Sequence, residues 1–272
     1  MGLYARLRPT IRTVHRRLVG WGLDGRTTLA AARSVGSAHA DRSEYERQRL
    51  ASSHPDDFTI RSSYPIVDDR LSEAGTASGH YFHQDLLVAR EVFRRNPQRH
   101  VDVGSAIAGF VAHVASFRDV EVLDVRPVSA TVPGITFVQQ DVMSLDPSFD
   151  GCTDSLSCLH ALEHFGLGRY GDPVDYDGWR KGLAGLCRML TPGGTLYLSV
   201  PTGLDQRVEF NAHRVFSLPF LRDALEGDFR IERLAFVTDA GDLIHDVDPY
   251  GDDAQRSLDS EYGCSIWVLT KK

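Results

Sequence analysis

A chain of 272 residues, 42% hydrophobic and 25% charged, is long enough to bury a sizeable core, as one large α/β domain with an extension or as two small domains. Its formal net charge of −7 argues against nonspecific nucleic-acid binding by the whole protein. No apolar run reaches the length that spans a bilayer, and the basic first twenty residues lack the apolar stretch and cleavage site of a secretory signal, so a cytoplasmic protein is expected. Cys152, Cys158, Cys187 and Cys264 are scattered without metal-like pair spacing; they read as reduced core thiols, and no metal site is expected.

Charge is unevenly spread: residues 1–50 carry ten Arg against four acids, which leaves the remainder strongly acidic. Leu3, Leu7, Ile11, Val14 and Leu18 recur at helical spacing, with Arg6, Arg8, Arg12, Arg16 and Arg17 between them. This predicts a basic amphipathic helix, interrupted at Pro9, that packs on the main domain or a dimer partner or lies against an anionic membrane surface. Residues 22–79 show little sustained periodicity and many Ser, Asp, Gly and Pro residues, so loops and short helices are expected there. Residues 1–79 thus read as an N-terminal extension, and the main domain spans 80–272.

From His80 to Asn96 the pattern is helical, with Phe82, Leu86, Val88, Ala89, Val92 and Phe93 forming a broad apolar face that Pro97 ends. A strand at Val101–Val103 stops at Gly104, and a helix follows from Phe110. Further strands are predicted at Val120–Asp124, Ile135–Asp141 and Cys152–Cys158. A helix over Trp179–Leu190, closed by Thr191–Gly194, leads to a buried strand at Thr195–Pro201. A helix at Leu218–Leu225 and strands at Phe229–Val237 and Gly263–Thr270 complete the pattern. The alternation predicts a Rossmann-like three-layer αβα sandwich, with a mostly parallel seven-stranded sheet and an antiparallel last strand. An acidic insert, Asp239–Glu261, has no calcium-loop spacing and reads as solvated loop.

In such a sheet, ligands bind beyond the carboxyl ends of the strands, where the strand order reverses. Gly104 begins the first loop. Asp124 ends the second strand twenty residues later, placed to accept from ribose hydroxyls. Asp141 ends the third strand, where a carboxylate could accept from an adenine amine while the Val142 N–H faces a ring nitrogen. Each acid alone could equally be a helix cap or loop acid; three elements in register point to a nucleoside.

These residues resemble the class I S-adenosylmethionine-dependent methyltransferases over residues 80–272. Val101-Asp-Val-Gly-Ser-Ala resembles that family's first motif, Asp124 its second and Gln140-Asp141-Val142 its third. Asp154–His164, ending Leu-Glu-His, and Leu190-Thr-Pro-Gly-Gly-Thr-Leu resemble the motifs before and after the fourth helix. His160–Asp172 and Phe210–Arg214 are further similar to a narrower methyltransferase-like subfamily of unknown function. The resemblance implies S-adenosyl-L-methionine as cofactor, bound by Asp102, Gly104, Ser105, Ala106, Gly109, Asp124, Val125, Asp141, Val142 and Leu159. One departure is in the first loop, where the family's second and third glycines are Ala106 and Ala108; alanine there is penalised if those positions need positive φ.

Methyl transfer is an in-line displacement, so the protein aligns a nucleophile and excludes water, and a hydroxyl acceptor benefits from a base. Candidate catalytic residues are His160, Glu163, His164, Asp172 and His213; His160 and His164 share a face if a helix has begun. Arg169, Tyr170, Asn211 and Arg214 are candidate acceptor contacts, and Tyr81 and His83 could reach the cofactor's methionine end. A small-molecule or glycan hydroxyl is the expected acceptor, and nucleic acid the least attractive, since no basic groove with interleaved aromatics is evident. Three other readings remain open: a binding or scaffold protein of the same fold without methyl transfer, an NAD-dependent dehydrogenase, and a zinc protease using His160-x-x-Glu-His164.

Overall fold

The computed structural model describes residues 25–62, 75–251 and 258–272. The chain divides into two compact units, Met1–Thr76 and Ala77–Lys272. The basic segment from Leu3 to Leu18 lies outside the described residues. Where loops and short helices were expected, the first unit holds a 27-residue helix, α1 (Gly25–Ala51). The run is free of proline and rich in Ala and Arg, so propensity and local ion pairs sustain it without an apolar stripe. Glu44–Arg47 at 2.6 Å and Glu46–Arg49 at 2.8 Å are two such pairs.

The second unit runs, in chain order, α2 (His80–Arg95), β1 (His100–Val103), a π turn (Ile107–Val111) opening into the short α3 (Ala112–Ala115), β2 (Val120–Asp124), β3 (Ile135–Gln139) and β4 (Thr153–Leu159). It continues with α4 (Gly178–Met189), β5 (Leu190–Thr202), β6 (Arg207–Glu209), β7 (His213–Val215), α5 (Leu218–Glu226), β8 (Phe229–Val237), β9 (Leu243–Ile244) and β10 (Gly263–Lys271). The main sheet has the order β3-β2-β1-β4-β5-β10-β8-β9. β1 to β5 pair in parallel, and β10 runs antiparallel between β5 and β8. This is the expected Rossmann-like architecture.

The sheet has eight strands rather than the expected seven. The addition, β9, lies inside the acidic insert read as loop and pairs Ile244 with Phe236 and Leu243 with Val237. Two residues are too few to show a period, so only the pairing reveals the strand. β6 and β7 form a separate hairpin. β5 opens five residues earlier than expected, at Leu190, with an irregularity in its pairing to β4 between Thr153 and Ser155.

Alternation along the central strands divides the core between two faces. Leu196, Leu198, Val200, Trp267 and Leu269 pack on one side with Leu186 and Met189 of α4. Tyr197, Ile266 and Val268 pack on the other with Val88, Val92, Phe110 and Val114. The face of α2 differs from the expected one: Phe82 and Phe93 are 42% and 66% exposed, whereas Gln84, Asp85 and Glu91 are buried. Gln84 Oε1 accepts from Ser199 Oγ at 2.6 Å, and the Asp85 carboxylate lies against Gly109. Among the described residues no helix is long and apolar enough to cross a membrane.

α4 approaches the turn after β3 so closely that a Cβ on Gly185 would collide with the Val142 carbonyl oxygen and Cγ1. Backbone cannot rotate aside as a side-chain tip can. Gly185→Ala is therefore expected to destabilise the protein by about 1–3 kcal/mol, read in urea unfolding as a lower midpoint at unchanged m value.

Candidate functional site

β1 lies where the strand order reverses, with β2 and β3 to one side and β4 and β5 to the other. A crevice therefore opens beyond the carboxyl ends of β1 and β4. Gly104 turns the chain there with φ +68°, donates from its N–H to Leu123 O at 3.0 Å, and leaves little room for a Cβ against Ala161. Asp102, fully buried two residues earlier, accepts from Ser105 N at 3.0 Å, Ser105 Oγ at 2.6 Å and Ser157 Oγ at 2.5 Å. Ser105 Oγ in turn accepts from Leu159 N at 3.1 Å. Asp102 thus shapes the loop from beneath and does not line the crevice. Burial raises its pKa to about 6, with the serine hydrogen bonds opposing the shift.

The missing glycines have a local explanation. Ala106 is extended, with φ −66° and ψ 119°, and Ala108 is not among the positive-φ residues, so Gly104 alone in this loop needs the left-handed region. Gly109 faces Asp85 of α2, whose carboxylate occupies the place of a Cβ. It packs against the helix and does not line the crevice.

One half of the crevice is a cavity lined by Val103, Gly104, Leu123, Asp124, Val125, Gln140, Asp141, Val142, Met143 and Phe165, the ends of β1, β2 and β3 among them. Asp141 accepts from Met143 N at 2.8 Å and so also caps the turn Val142–Ser144. Asp124 is grasped by Arg126, which donates from Nε at 2.9 Å, Nη2 at 2.7 Å and its backbone N at 2.8 Å. The Arg126 guanidinium lies 4.3 Å from the Tyr170 ring centre. Arg126 and Tyr170 together form a cation–π lid over the Asp124 carboxylate.

The other half is lined by Ser105, Ala106, Leu159, His160, Glu163, His164, Arg169, Tyr170 and His213, with His80 and Tyr81 from α2 and Tyr262 from before β10. β4 is directly followed by a left-handed residue, His160 (φ +51°), and then by a 3-10 turn over Leu162–His164. No regular helix carries the histidines, which removes the geometry a His160-x-x-Glu-His164 protease centre needs. His160 Nδ1 is 2.8 Å from Glu163 Oε1. His160 Nε2 and Glu163 Oε2 are buried without hydrogen-bond partners. Burial opposes a charge on His160, but Cys264 and Glu163 outweigh it and hold its pKa well above the ordinary value. Burial, aided by the neighbouring His160, lowers His80 to about 4.

His164 is arranged differently. Its Nδ1 is 2.7 Å from Ala212 O, so Nδ1 carries the proton and donates, leaving an Nε2 lone pair. The same tautomer makes the 3.3 Å approach of Arg169 Nη1 to Nδ1 a crowded contact; Arg169 donates instead to Ala212 O at 2.8 Å. Burial lowers the His164 pKa, which favours the neutral ring. His213 packs on Tyr262, with Nε2 3.4 Å from Glu209 Oε2 and lacking a hydrogen bond; burial lowers its pKa too.

Four expected residues take other roles. Asp172 borders the cavity at β2 and β3, but it accepts from the backbone N–H groups of Gly166, Gly168 and Tyr170, so its carboxylate shapes the glycine-rich loop and is not free as a base. Arg214 is buried and donates to the carbonyls of Phe165 at 2.6 Å and Glu163 at 3.3 Å, clamping the loop after β4. Asn211 is exposed between β6 and β7 and does not line the crevice. His83 reaches Gly241 O at 3.0 Å and anchors α2. Arg126, His80, Tyr262 and Cys264 went unrecognised; the last two reach the site because β10 is antiparallel, and no local motif marks them.

Residues 136–254 match a family model described as Caenorhabditis protein of unknown function, DUF268. No curated protein matches the sequence. Among solved structures, the chain is similar to the N-methyltransferase NodS from Bradyrhizobium japonicum in complex with S-adenosyl-L-homocysteine, at 13% identity and TM-score 0.47, covering 84% of this chain and 97% of that one. It is similar to the Burkholderia thailandensis 1,6-didemethyltoxoflavin-N1-methyltransferase at 17% identity and TM-score 0.48, covering 86% and 90%. It is similar also to the (4+2)-cyclase SpnF at 16% identity and TM-score 0.49, covering 79% and 85%.

The Asp102 network generates a pH dependence. A carboxyl whose pKa is raised on folding binds more protons in the native than in the unfolded state, so its contribution to stability falls as pH rises from about 4 to about 6. Over that window the wild type is expected to lose about 2–3 kcal/mol relative to Asp102→Asn, measured as the difference between their urea-unfolding free energies at pH 4 and pH 6.5.

Proposed function

We propose that the crevice binds S-adenosyl-L-methionine and that the protein is a methyltransferase acting on a hydroxyl of a small-molecule or glycan acceptor. The observation that carries this reading is that Asp124 at the end of β2, Asp141 and Val142 after β3 and the Gly104 turn line one largely apolar cavity at the strand-order switch. A purine needs apolar walls with a few polar edges, and a ribose diol needs one carboxylate in fixed geometry. The residues fit the group: Ala106 holds a backbone conformation open to any residue, so the loop needs no further glycine to retain its shape. Asp124 meets the ribose once Arg126 gives up its bidentate hold.

The cofactor supplies an electrophilic methyl on a sulfonium. The chain's residues then have three tasks. Arg169 and Tyr170, on the loop beside the acceptor half, orient the acceptor and exclude water. His164 takes the hydroxyl proton on Nε2, its tautomer fixed by Ala212 O. His213 and Tyr262 wall the far side. The antiparallel β10 inserted between β5 and β8 favours this reading over an NAD-dependent dehydrogenase, whose two βαβαβ halves give the strand order 3-2-1-4-5-6. The hold of Arg126 on Asp124 favours, as a second reading, a binding protein of the same fold that does not transfer methyl groups.

Calorimetry with S-adenosylhomocysteine tests the cofactor. Asp124→Ala is expected to weaken binding roughly 10- to 150-fold, as for loss of a hydrogen bond to a charged group, and Arg126→Ala to bind at least as tightly as wild type. An Asp124→Ala affinity equal to wild type sinks the role given to that carboxylate. His164→Gln is expected to keep S-adenosylhomocysteine affinity and lose methyl transfer to hydroxylated acceptors. Wild-type turnover should rise with pH through the lowered His164 pKa and level off by neutrality; turnover that instead declines over that range contradicts His164 as the base.

A further inference from the structure

The crevice contains a cluster that methyl transfer does not use. His80 begins α2, His160 directly follows β4, and Cys264 is the second residue of β10. β5 separates β4 from β10 in the sheet, with Cys264 opposite Pro201 and His160 N bonded to Ser199 O at 3.0 Å. Because β10 is antiparallel, its first residues lie beside the carboxyl ends of the parallel strands. One ligand-competent atom from each of His80, His160 and Cys264 lies within 4.8 Å of the other two.

Two features point to a ligand among these atoms. First, the His160 side chain is 4% exposed, and its Nε2 is buried with no hydrogen-bond partner. Three of the five unpartnered buried polar atoms among the described residues, on His160, Glu163 and His213, gather around this half of the crevice. Such atoms call for an explanation, and an ion is one. Second, His160 has the outer partner that metal-ligating imidazoles carry, its Nδ1 being paired with the Glu163 carboxylate at 2.8 Å. The Cys264 thiol makes long contacts to Ser265 O at 3.8 Å and Gln84 Oε1 at 4.0 Å and otherwise meets the His160 ring, its fellow ligand, so a metal takes it from weak partners.

We propose that His80, His160 and Cys264 bind one zinc ion at the floor of the acceptor half of the crevice. Two imidazoles and a thiolate suit zinc, with its borderline softness, better than calcium or magnesium, which take oxygen. Tetrahedral zinc ligands stand about 3.6 Å apart, so no separation within 4.8 Å has to close by more than about an ångström. On binding, the Cys264 Sγ–H proton leaves to solvent and an Sγ–zinc bond forms, with no change of oxidation state. Three protein ligands leave a fourth position open, as in catalytic rather than structural zinc sites. That position faces the cavity beside Tyr81 and Tyr262 and would take water or an acceptor oxygen.

The test is metal content and the spectrum of the cobalt-substituted full chain. Purified wild type, loaded with zinc and dialysed, should retain about one zinc per chain. The cobalt form should show a thiolate-to-cobalt charge-transfer band and strong tetrahedral d–d bands. Cys264→Ser should lose the charge-transfer band, His80→Ala should weaken zinc binding at least 10-fold, and Glu163→Gln should weaken it about 10- to 100-fold. Wild type that retains no zinc, or cobalt protein without the charge-transfer band, overturns the proposal without recourse to any variant. Undiminished affinity in both Cys264→Ser and His80→Ala overturns it equally. Asp124→Ala should keep its zinc whatever becomes of S-adenosylhomocysteine binding, which separates failure of this site from failure of the cofactor reading.

Discussion

The architecture of the crevice depends on one buried carboxylate. Asp102 sits where the sheet reverses its order, with no access to solvent, and its hydrogen bonds from Ser105 and Ser157 join the loop after β1 to β4. Burying an unpaired carboxylate costs far more than a hydroxyl bond returns, so the serines must remain in place for the chain to stay folded there. Their geometry fixes Ser105, which fixes Leu159 N and hence where β4 ends. Everything in the crevice is referenced to those two strand ends.

On that frame the crevice divides by chemistry. The half at β2 and β3 has apolar walls with carboxylates at its edge, while the half at β4 and β10 is dense in imidazole, phenol, carboxylate and thiol. Arg126 and Tyr170 lie at the boundary and line both halves. In the proposed function, a ligand entering the first half competes with the Arg126 guanidinium for Asp124, so cofactor binding and the position of the Tyr170 lid are coupled through one bidentate pair. His164 and His160, four residues apart, are set to different tasks by their partners. A backbone carbonyl leaves His164 with an accessible lone pair, whereas Glu163 turns the free nitrogen of His160 inward.

Much of the fold was legible because its signals are local. Val101–Val103 before Gly104 and Val120–Leu123 before Asp124 each announce a strand end within a few residues, whereas the Pro-Gly-Gly segment read as a helix stop lies inside β5. α1 was missed because a helix held by propensity and Glu–Arg pairs has no apolar stripe to read. β9 was missed because two residues have no period. Within the crevice, loop residues such as Gly104 and Asp124 could be found by position, but Asp172 and Arg214 could not be told from chemistry-bearing residues, since what they hold is backbone. Tyr262 and Cys264 needed the direction of β10, a long-range fact. Arg126 needed its side chain to be seen folding back two residues onto Asp124.

The most direct test of the account is a crystal structure of the full chain with S-adenosylhomocysteine. The account expects the ribose hydroxyls on Asp124, the adenine between Leu123 and Met143, and the Arg126 guanidinium displaced from the carboxylate. Ligand bound elsewhere, or a saturated crystal in which Arg126 still grips Asp124 and the cavity at β2 and β3 holds no nucleoside, would contradict it.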